Sequence, residues 1–483
     1  MSHADFAAIL PLLITAYGGL AAMVILAFRR GANAAFVLSV IVLLGALGSV
    51  FAAADYAPRA VTPLITVDTY SLYFTGLILA GAILVALMGR EYIQAHSRRP
   101  EAYYVLLLLS VLGMAAIATS SHLASFFLAL ETASVSLYGL IGYTRRRKVS
   151  IEAAVKYLVL AASSSAFLLF GFALIYSDYG TIGFAHLAAL MQGGAVPVTS
   201  LMGVALALVG FGFKLAFVPF HTWSPDVYQG APSPVTALIA TGSKGAVFAL
   251  LLRLFEAGGV PASGQVCAAL AFLAVATMLV GNLLALLQSN LKRLLAYSSV
   301  SHLGYLLMPL IAGDRLGPSS AAFYLAAYFP AAIAAFGVVT ALSAARIDGD
   351  TDELADYHGL AAGSPLLAAG MAVSLLSLTG IPLTAGFVGK FYIFAAAVHS
   401  GLWGLVIVGI LGSGISAFYY LRVLAAMYAR PPADANASAA RSVRPGAGSV
   451  TAVMVSCAAV IVFGVYPAPL IRLAEMATAW VGF

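Results

Sequence analysis

Charge and cysteine are scarce in this chain. Only 9% of its 483 residues are charged, whereas 62% are apolar. A soluble domain carries about 25% charged and about 45–50% apolar residues, so the composition excludes a water-soluble fold and indicates a membrane protein. The two cysteines, Cys267 and Cys457, lie far apart in apolar stretches. Two thiols exclude a four-cysteine iron–sulfur site within the chain and argue against a disulfide framework.

Nucleotide-binding motifs are also lacking. The chain contains no complete GxGxxG or GxxxxGK[ST] sequence, so any nucleotide chemistry is expected elsewhere. The net charge of +6 would suggest nucleic acid as a partner of a soluble protein. In a membrane protein it indicates basic cytoplasmic loops, and we expect no nucleic-acid binding.

Long apolar runs fill the sequence, and a spanning helix needs about 20 such residues. The sequence predicts an all-α polytopic membrane protein, a single membrane domain over 1–483 with no soluble domain and no cleaved signal peptide. It predicts fourteen transmembrane helices, at 8–28, 34–54, 70–90, 102–119, 121–143, 152–177, 199–221, 234–255, 265–288, 290–312, 319–346, 365–397, 402–428 and 449–470.

Basic residues in the loops predict the orientation. Thirteen of them fall in the loops on one side and four on the other, which places both termini in the periplasm or its topological equivalent. The thirteen are Arg29, Arg30, Arg90, Arg98, Arg99, Arg145, Arg146, Arg147, Lys148, Arg346, Arg430, Arg441 and Arg444, and the four on the outer side are Arg59, Arg253, Arg315 and Arg472. An acidic run then lies on the cytoplasmic side and is interpreted as a solvated loop. It comprises Asp348, Asp350, Asp352, Glu353 and Asp356.

Several charged residues fall inside the predicted spans, where each costs roughly 2.5–3.5 kcal/mol to insert. They are Glu131 and five of the six lysines, Lys156, Lys214, Lys244, Lys292 and Lys390. A lysine removed from water can titrate near neutrality, whereas an arginine stays charged, so a set of buried lysines can relay protons. Arg293 and Arg422 are interpreted as side chains that reach the membrane interface.

Polar residues follow three of these lysines at helical spacing. Ser163 and Ser164 follow Lys156, His221 follows Lys214, and Ser299 follows Lys292. Such groups are suited to a proton wire, although each also suits a hydrogen bond between helices. Both interpretations remain open at this point.

Two spans combine a lysine with a proline, Lys214 with Pro219 and Lys390 with Pro382. A proline interrupts a helix, and a broken helix at membrane depth is tolerated where it lines a cavity. These are spans seven and twelve, five apart, which predicts two inverted five-helix repeats formed by spans 4–8 and 9–13. The corresponding segments are three N-terminal helices within 1–101, the repeats at 102–255 and 265–428, and a last helix at 449–470.

Long motifs around these residues resemble a known family, the proton-translocating antiporter-like subunits of respiratory complex I. The similar segments are GFGFKLAFVPFHTWSPDVYQGAPSPVTALIATGSKGAVF (210–248), NLKRLLAYSSVSHLGY (290–305), SLTGIPLTAGFVGKFY (377–392), the surroundings of Glu131, and EAAVKYLVLAASSSAFLLFG (152–171). The resemblance covers all fourteen spans.

The resemblance implies roles for individual residues. Glu131 and Lys214 form an ion pair near the membrane centre, Lys244 acts as a central relay, and Lys390 lies at the far half-channel. His221, Lys292 and His302 lie along the polar axis between them, and Lys156 is an auxiliary candidate.

The resemblance also implies a subunit of a bacterial inner-membrane NADH:quinone oxidoreductase. Electron transfer in other subunits, which hold NAD, FMN, iron–sulfur clusters and quinone, is coupled to proton pumping here. This chain is expected to hold no cofactor and no metal. Its expected partners are other antiporter-like subunits, small membrane subunits and the lipid bilayer.

Three alternatives are weighed. A Na⁺/K⁺–proton antiporter subunit would use the same charged residues. A sodium site, however, requires a cluster of carboxylates and of backbone carbonyls without helical partners, and the spans contain one central acid, Glu131. A membrane spacer would use the charges only to hold helices together. A haem protein ligated by His221 and His302 is the most distant.

Overall fold

The computed structural model is almost entirely helical and describes residues 2–28, 31–192, 196–256, 264–313, 316–344, 346, 349–429 and 445–479. The first part of the chain comprises α1 (His3–Ala8), α2 (Leu10–Phe28), α3 (Ala32–Ala54), the antiparallel strands β1 (Arg59–Thr62) and β2 (Ile65–Val67), α4 (Thr69–His96) and α5 (Pro100–Thr119).

The middle part comprises α6 (Leu123–Ile141), α7 (Lys148–Tyr179), α8 (Phe184–Gln192), α9 (Val198–Leu215), α10 (Trp223–Gly230), α11 (Ser233–Leu238), a π-helical turn (Ile239–Ser243) and α12 (Lys244–Glu256). The last part comprises α13 (Gly264–Leu286), α14 (Leu291–Ala312), α15 (Leu316–Ser343), a 3₁₀ turn (Leu354–Tyr357), α16 (Leu360–Gly363), α17 (Pro365–Thr379), α18 (Ala385–His399), α19 (Trp403–Tyr428), α20 (Ala447–Val465) and α21 (Ala468–Thr478).

The membrane-spanning class predicted from the sequence is confirmed. Thirteen helices of the described chain are long and apolar enough to cross a membrane. The predicted span 365–397 is divided between two shorter apolar helices, α17 and α18, and the count of fourteen spans stays a prediction. A small hairpin of β1 and β2 adds to the predicted all-α architecture. Helices α5 and α6 are separate, with a short non-helical connection between Thr119 and Leu123. His122 caps the start of α6, because its Nδ1 accepts a hydrogen bond from the Ala124 N–H.

Three segments form the interior. The most apolar window of α15 is 100% buried, that of 233–255 is 94% buried and that of α14 is 89% buried. The outer helices α2, α7, α13 and α20 are between 28% and 39% buried over their windows and expose apolar side chains, as expected of surfaces that meet lipid or other membrane subunits. The polar residues of α14 are therefore shielded from lipid by the rest of the chain.

Both spans that carry a proline are interrupted, and the two interruptions share one geometry. Helix α9 ends before Ala216 (φ 58°) and α17 ends before Gly380 (φ 90°). Both of these residues have the left-handed backbone conformation. At each end a backbone N–H bonds the carbonyl five residues earlier, Phe217 to Gly212 and Ile381 to Leu376. This is the Schellman cap, so the helices end four and three residues before Pro219 and Pro382, with their last turn capped.

A π-helical turn at Ile239–Ser243 directly precedes Lys244. One extra residue per turn re-aims the side chains that follow, and such turns are frequent at functional sites. No pattern in the sequence predicts this turn.

Candidate functional site

Three lysines are buried inside the helical bundle. Lys214, Lys244 and Lys390 are exposed by only 6%, 1% and 5%. Within the described part of the chain, no carboxylate lies within the 4.0 Å of a salt bridge from any of the three ammonium groups. Each is held by neutral oxygens instead.

Lys214 lies in the last turn of α9 and faces α6. Its Nζ donates a hydrogen bond to Ser134 Oγ at 2.8 Å. The ammonium also lies 5.8 Å from the ring centre of Tyr157, within range of a cation–π contact.

Lys244 begins α12, directly after the π-helical turn. Its Nζ donates to Ser299 Oγ of α14 at 2.8 Å, and Tyr228 Oη donates to the same hydroxyl at 3.2 Å. The aromatic faces of Tyr228 and Trp223 lie 5.2 and 5.8 Å from the ammonium. The broken segment thus supplies the aromatic contacts, and α14 supplies the hydroxyl.

Lys390 lies on α18, in the second half of the other broken span. Its Nζ donates to the carbonyl of Thr379 and to Ser413 Oγ, both at 2.8 Å, and lies 5.2 Å from the Tyr305 ring. Thr379 is the last residue of α17. The ammonium therefore sits at the negative end of a helix dipole, which stabilises a cation there without an acidic side chain.

Glu131 and Lys214 do not form the direct ion pair that the resemblance implies. Glu131 is half-buried and accepts a hydrogen bond from Ser165 Oγ at 2.6 Å. Lys214 bonds Ser134, which lies one helical turn along α6 from Glu131. Ser134 thus takes the place expected for the carboxylate and keeps the two charges close without direct contact.

An aromatic cluster separates Lys214 from Lys244. The rings of Tyr157 and Trp223 lie 4.9 Å apart, and those of Phe213 and Trp223 lie 5.4 Å apart. The indole N–H of Trp223 is bonded to the Phe213 carbonyl at 2.7 Å, which fixes the cluster. Lys214 contacts one side of the cluster and Lys244 the other.

His302 lies on α14, in the space between Lys244 and Lys390. Its side chain is buried, with the residue only 3% exposed. Its Nδ1 lies 2.5 Å from Tyr324 Oη and its Nε2 lies 3.4 Å from Tyr420 Oη. The charges of both lysines act on the ring. Because both ring nitrogens face tyrosine hydroxyls, this geometry does not favour the haem alternative, which needs a ring nitrogen free for iron.

The polar connection continues through residues that the sequence motifs did not single out. Tyr420 Oη is bonded to Ser298 Oγ, and Tyr419 Oη donates to Asn282 Oδ1 at 3.1 Å. Asn282 in turn donates to Tyr305 Oη at 3.2 Å, and Tyr305 is the ring beside Lys390. An asparagine fully buried in an apolar helix was the available signal.

A small cavity lies between His302 and Lys390. It measures about 10 Å³ and is also lined by Tyr324, Tyr328 and Ser377. This is about the space that one water molecule needs, and the lining residues provide several polar groups that can hydrogen-bond to it. The cavity thus offers room for a mobile proton carrier between a histidine and a lysine.

Lys156 is placed differently from the three buried lysines. Its side chain is 45% exposed, and its Nζ lies 2.7 Å from Glu152 and 2.9 Å from Asp226. Of the two interpretations left open for its helix face, the contacts of the described residues favour hydrogen bonding within the protein over a proton wire, since Ser163 and Ser164 donate to backbone carbonyls. Lys156 is an ion-paired residue on the outer face.

Lys292 is buried but ion-paired, which corrects the interpretation of the acidic run. Its Nζ lies 2.5 Å from Asp350 Oδ2, and both side chains are fully enclosed. Asp356 binds Arg346, and Glu353 accepts from Asn290, so these residues do not form a simple solvated loop. Asp348 lies outside the described residues.

His221 lies in the interruption after α9, so it does not share a helix face with Lys214 as the seven-residue spacing predicts. It is 9% exposed, and its ring centre lies 6.3 Å from that of Tyr297. The charge of Lys244 acts on it. His221 is therefore close enough to Lys244 for the two groups to interact electrostatically.

The arginines interpreted as interface residues hold helix ends together. Arg422 donates to the carbonyls of Leu286 and Gln288 at 3.0 and 2.6 Å, and Arg293 lies 2.8 Å from Asp226. Arg253, expected in an outer loop, is instead buried in α12 and paired with Asp68 at 2.7 Å. Six other arginines used to predict the orientation lie outside the described residues: Arg29, Arg30, Arg315, Arg430, Arg441 and Arg444.

No group of three or more His, Cys, Asp or Glu residues suited to a metal ion occurs in the described part of the chain. The site is built from lysines, a histidine, hydroxyls and aromatic rings. These groups can hold and pass protons.

Comparison with known proteins identifies the family. Residues 120–416 match the family model for NADH:quinone oxidoreductase/Mrp antiporter transmembrane proteins. NADH-quinone oxidoreductase subunit N of Ectopseudomonas mendocina (strain ymp) is 44% identical over 476 residues, which cover 97% of this chain and 96% of that protein. The chain belongs to the NADH-quinone oxidoreductase subunit N family.

Solved structures share this fold, and one of them is a respiratory complex I. A chain of respiratory complex I from Thermus thermophilus matches with a TM-score of 0.82 and 34% identity, covering 96% of this chain and 99% of that one. A chain of the Mrp complex from Dietzia sp. DQ12-45-1b matches with a TM-score of 0.88 at 22% identity, covering 99% of this chain and 97% of that one. At that identity the second match shows the fold alone.

Proposed function

We propose that this proton-translocating complex I subunit moves protons through Lys244, His302 and Lys390, with Glu131 and Lys214 controlling the charge beside the path. Lys244 is the central relay, and His302 connects it to Lys390. Tyr324 and Tyr420, whose hydroxyls face His302, are the groups along which the proton passes, and Asn282 holds Tyr305 and Tyr419 in place.

One observation carries this proposal. The five lysines predicted in spans divide into two groups: Lys156 and Lys292 are ion-paired with carboxylates, whereas the partners of Lys214, Lys244 and Lys390 among the described residues are neutral. An ammonium with neutral partners loses less on giving up its proton than an ion-paired one does. In the second group, Lys244 and Lys390 therefore suit proton transfer and Lys214 suits the control of charge beside them, whereas the first group suits structure.

The magnitudes allow such a mechanism. Moving one charge against about 150 mV requires roughly 3.5 kcal/mol, by proportion from 2.3 kcal/mol per 100 mV. Making or breaking one hydrogen bond to a charged group is worth about 1.5–3 kcal/mol. The free energy of making or breaking the Lys214–Ser134 hydrogen bond is thus comparable with the free energy needed to pump one proton.

Glu131 and Lys214 are proposed to act as an electrostatic switch through Ser134. Quinone reduction elsewhere in the complex would alter the charge near one end of the subunit. If the Lys214 ammonium moved from Ser134 to Glu131, the carboxylate would neutralise its charge. Lys244, on the other side of the aromatic cluster, would then experience less repulsion from Lys214. The relay would then hold or release its proton according to that charge.

The finer setting of the subunit is part of the proposal. We infer the bacterial inner membrane with both termini periplasmic, and NAD, FMN, iron–sulfur clusters and quinone in other subunits. The inverted repeats are supported by the identical Schellman caps before Pro219 and Pro382. The single membrane domain would then divide at 1–101, 102–255, 265–428 and 449–470.

The antiporter and spacer alternatives make different demands. A sodium or potassium site needs several oxygen ligands, carboxylates among them, whereas Glu131 is a single acid whose charge acts on Lys214. A spacer would need its buried cations paired, yet the three central lysines have no carboxylate partner among the described residues. Proton transfer fits these contacts better.

The test is to replace Lys244 with methionine in the assembled complex. Proton pumping by inverted membrane vesicles, divided by the amount of assembled complex, is expected to fall to below about a tenth of the wild-type rate because the relay is lost. Lys156→Met, on the outer ion pair, is the matched control and should retain most of the pumping. Full pumping by the Lys244 variant would refute the relay.

A further inference from the structure

Asp350 is the most completely enclosed carboxylate of the described chain and plays no part in the path proposed above. Its Oδ2 accepts from Lys292 Nζ at 2.5 Å and from Ser233 Oγ at 2.9 Å. Its Oδ1 accepts from Tyr92 Oη at 2.5 Å and lies 3.4 Å from Arg147 Nη1. Burial alone would raise the pKa of Asp350, but Lys292 and Arg147 outweigh this and lower the pKa to about 2.

The cluster joins four parts of the fold. Tyr92 lies near the end of α4, Arg147 is the N-cap of α7, Ser233 begins α11, and Lys292 lies in the first turn of α14. Asp350 reaches them from the connection after α15. The connection is therefore a tie between helices that are distant in the sequence.

Two bonds of the cluster converge on one short stretch, residues 231–233. Lys292 Nζ donates to the Ala231 carbonyl at 2.6 Å, and Ser233 Oγ donates to Asp350. This stretch joins α10 to α11 and lies between Tyr228 on one side and Lys244 on the other. A displacement of residues 231–233 would move the aromatic contacts of Lys244.

The other end of the tie is the helix that holds Lys244 by a hydrogen bond. Lys292 and Ser299 lie on the same face of α14, seven residues and about 10 Å apart. Ser299 Oγ is the hydroxyl bonded by Lys244 Nζ. The cluster therefore fixes two parts of the fold relative to each other. One is the segment that leads from residues 231–233 to Lys244, and the other is α14, whose Ser299 binds Lys244.

We propose that Asp350 and Lys292 are positioning residues for proton transfer, joined as a permanent ion pair that sets the geometry of Lys244 and Ser299. Lys292 then contributes a fixed charge and releases no proton. This inference rests on the proposed role of Lys244 as the relay.

The contacts argue for a fixed charge at position 292. The carboxylate lies between two cations, and a bonded carboxylate holds the proton of a neighbouring lysine. The other acid of the connection close to this pair is Asp352, whose backbone carbonyl accepts from Leu291 N–H. His96 is stacked on Tyr92 at 4.3 Å between ring centres, and its two ring nitrogens bond backbone carbonyls, those of Tyr92 and Arg346, rather than Asp350.

Four variants separate positioning from proton transfer. Lys292→Arg keeps a permanent cation but cannot release a proton. Asp350→Asn leaves Lys292 and Arg147 without their counter-charge, and the double variant Asp350→Asn/Lys292→Met removes both members of the pair. Asp356→Asn is the matched control, since Asp356 belongs to the same connection but forms a partly exposed pair with Arg346.

Protons pumped per NADH oxidised are measured for each assembled complex in inverted membrane vesicles. We expect Lys292→Arg and Asp356→Asn to keep more than about half of the wild-type ratio, and Asp350→Asn to fall below about a fifth. The double variant should recover at least about twofold over Asp350→Asn, because a buried charge without a partner costs more than the missing pair. If Asp350→Asn does not assemble, assembly and pumping by the double variant support the proposal equally.

Loss of pumping in Lys292→Arg together with an inactive double variant would overturn the inference, because it would show that Lys292 must release a proton. Normal pumping by Asp350→Asn would overturn it as well. Lys244→Met measured alongside tests the relay itself. Full pumping by that variant would refute the proposed function, whatever the variants of the cluster show.

Discussion

Gly380 gives a prediction that connects backbone geometry with the proton path. Its φ of 90° lies in the left-handed region, and an added Cβ would lie 2.9 Å from Lys390 Cδ and 3.7 Å from Nζ. Gly380→Ala would therefore strain the cap of α17 by roughly 1–2 kcal/mol and push the lysine side chain away.

The functional effect should exceed the loss of stability. Lys390 Nζ is held by Thr379 O and Ser413 Oγ, both at 2.8 Å. A displacement that breaks either bond costs about 1.5–3 kcal/mol, which is about tenfold or more in the population of the bonded geometry. We expect proton pumping per assembled complex to fall about tenfold, with a thermal unfolding temperature only a few degrees lower.

The matched control is Ala216→Gly, at the left-handed residue of the other interruption. Here a residue that already carries Cβ has a φ of 58°. Glycine should relieve about 1 kcal/mol of strain, raise the unfolding temperature slightly and leave pumping intact. Normal pumping by Gly380→Ala, with both variants stable, would show that the placement of Lys390 is not important for transfer.

Three further predictions concern charged residues. Glu131→Gln removes the acid but keeps its shape, so pumping and coupled quinone reduction should fall severalfold in an assembled complex; normal pumping would make Glu131 structural. Lys390→Glu should retain more pumping than Lys390→Arg in inverted vesicles, because a buried carboxyl can titrate and arginine cannot; the reverse order would refute proton carriage at that position. Asp350, with its pKa lowered from 3.8 to about 2, stabilises the fold above its ordinary pKa by about 2 kcal/mol, and this contribution is lost as the pH falls from about 4 to about 2. Thermal unfolding of the purified complex should show that acid-dependent component in the wild type and not in Asp350→Asn.

The membrane class and the central lysines could be predicted from the sequence because both rest on local chemistry. Apolar length predicts a span, and a lysine bracketed by such length needs a functional or structural reason. The interruptions at Pro219 and Pro382 followed from the missing backbone N–H. Their positions did not, because the Schellman caps end each helix before its proline.

The pairing of charges could not be predicted, since it depends on contacts between distant segments. Lys292 and Lys390 look alike in sequence, each inside an apolar span with hydroxyls nearby. Only the fold brings Asp350 to the first and the end of α17 to the second. The resemblance suggested a direct Glu131–Lys214 contact, and the structure places Ser134 there instead.

The π-helical turn before Lys244 was missed for a different reason. A π turn leaves the same apolar and polar residue types in place and adds one residue to a single turn. It is therefore invisible to patterns that assume 3.6 residues per turn. The structure shows it at Ile239–Ser243, between α11 and α12.

An arginine scan of four lysines in predicted spans tests the central claim most directly. Each of Lys156, Lys244, Lys292 and Lys390 is changed to arginine, and pumping per NADH oxidised is measured in inverted vesicles with assembled complex. Arginine keeps the charge but does not release a proton at accessible pH. Retained pumping at the two ion-paired positions and loss at Lys244 and Lys390 is the predicted result, and retained pumping at Lys244 and Lys390 would contradict the account.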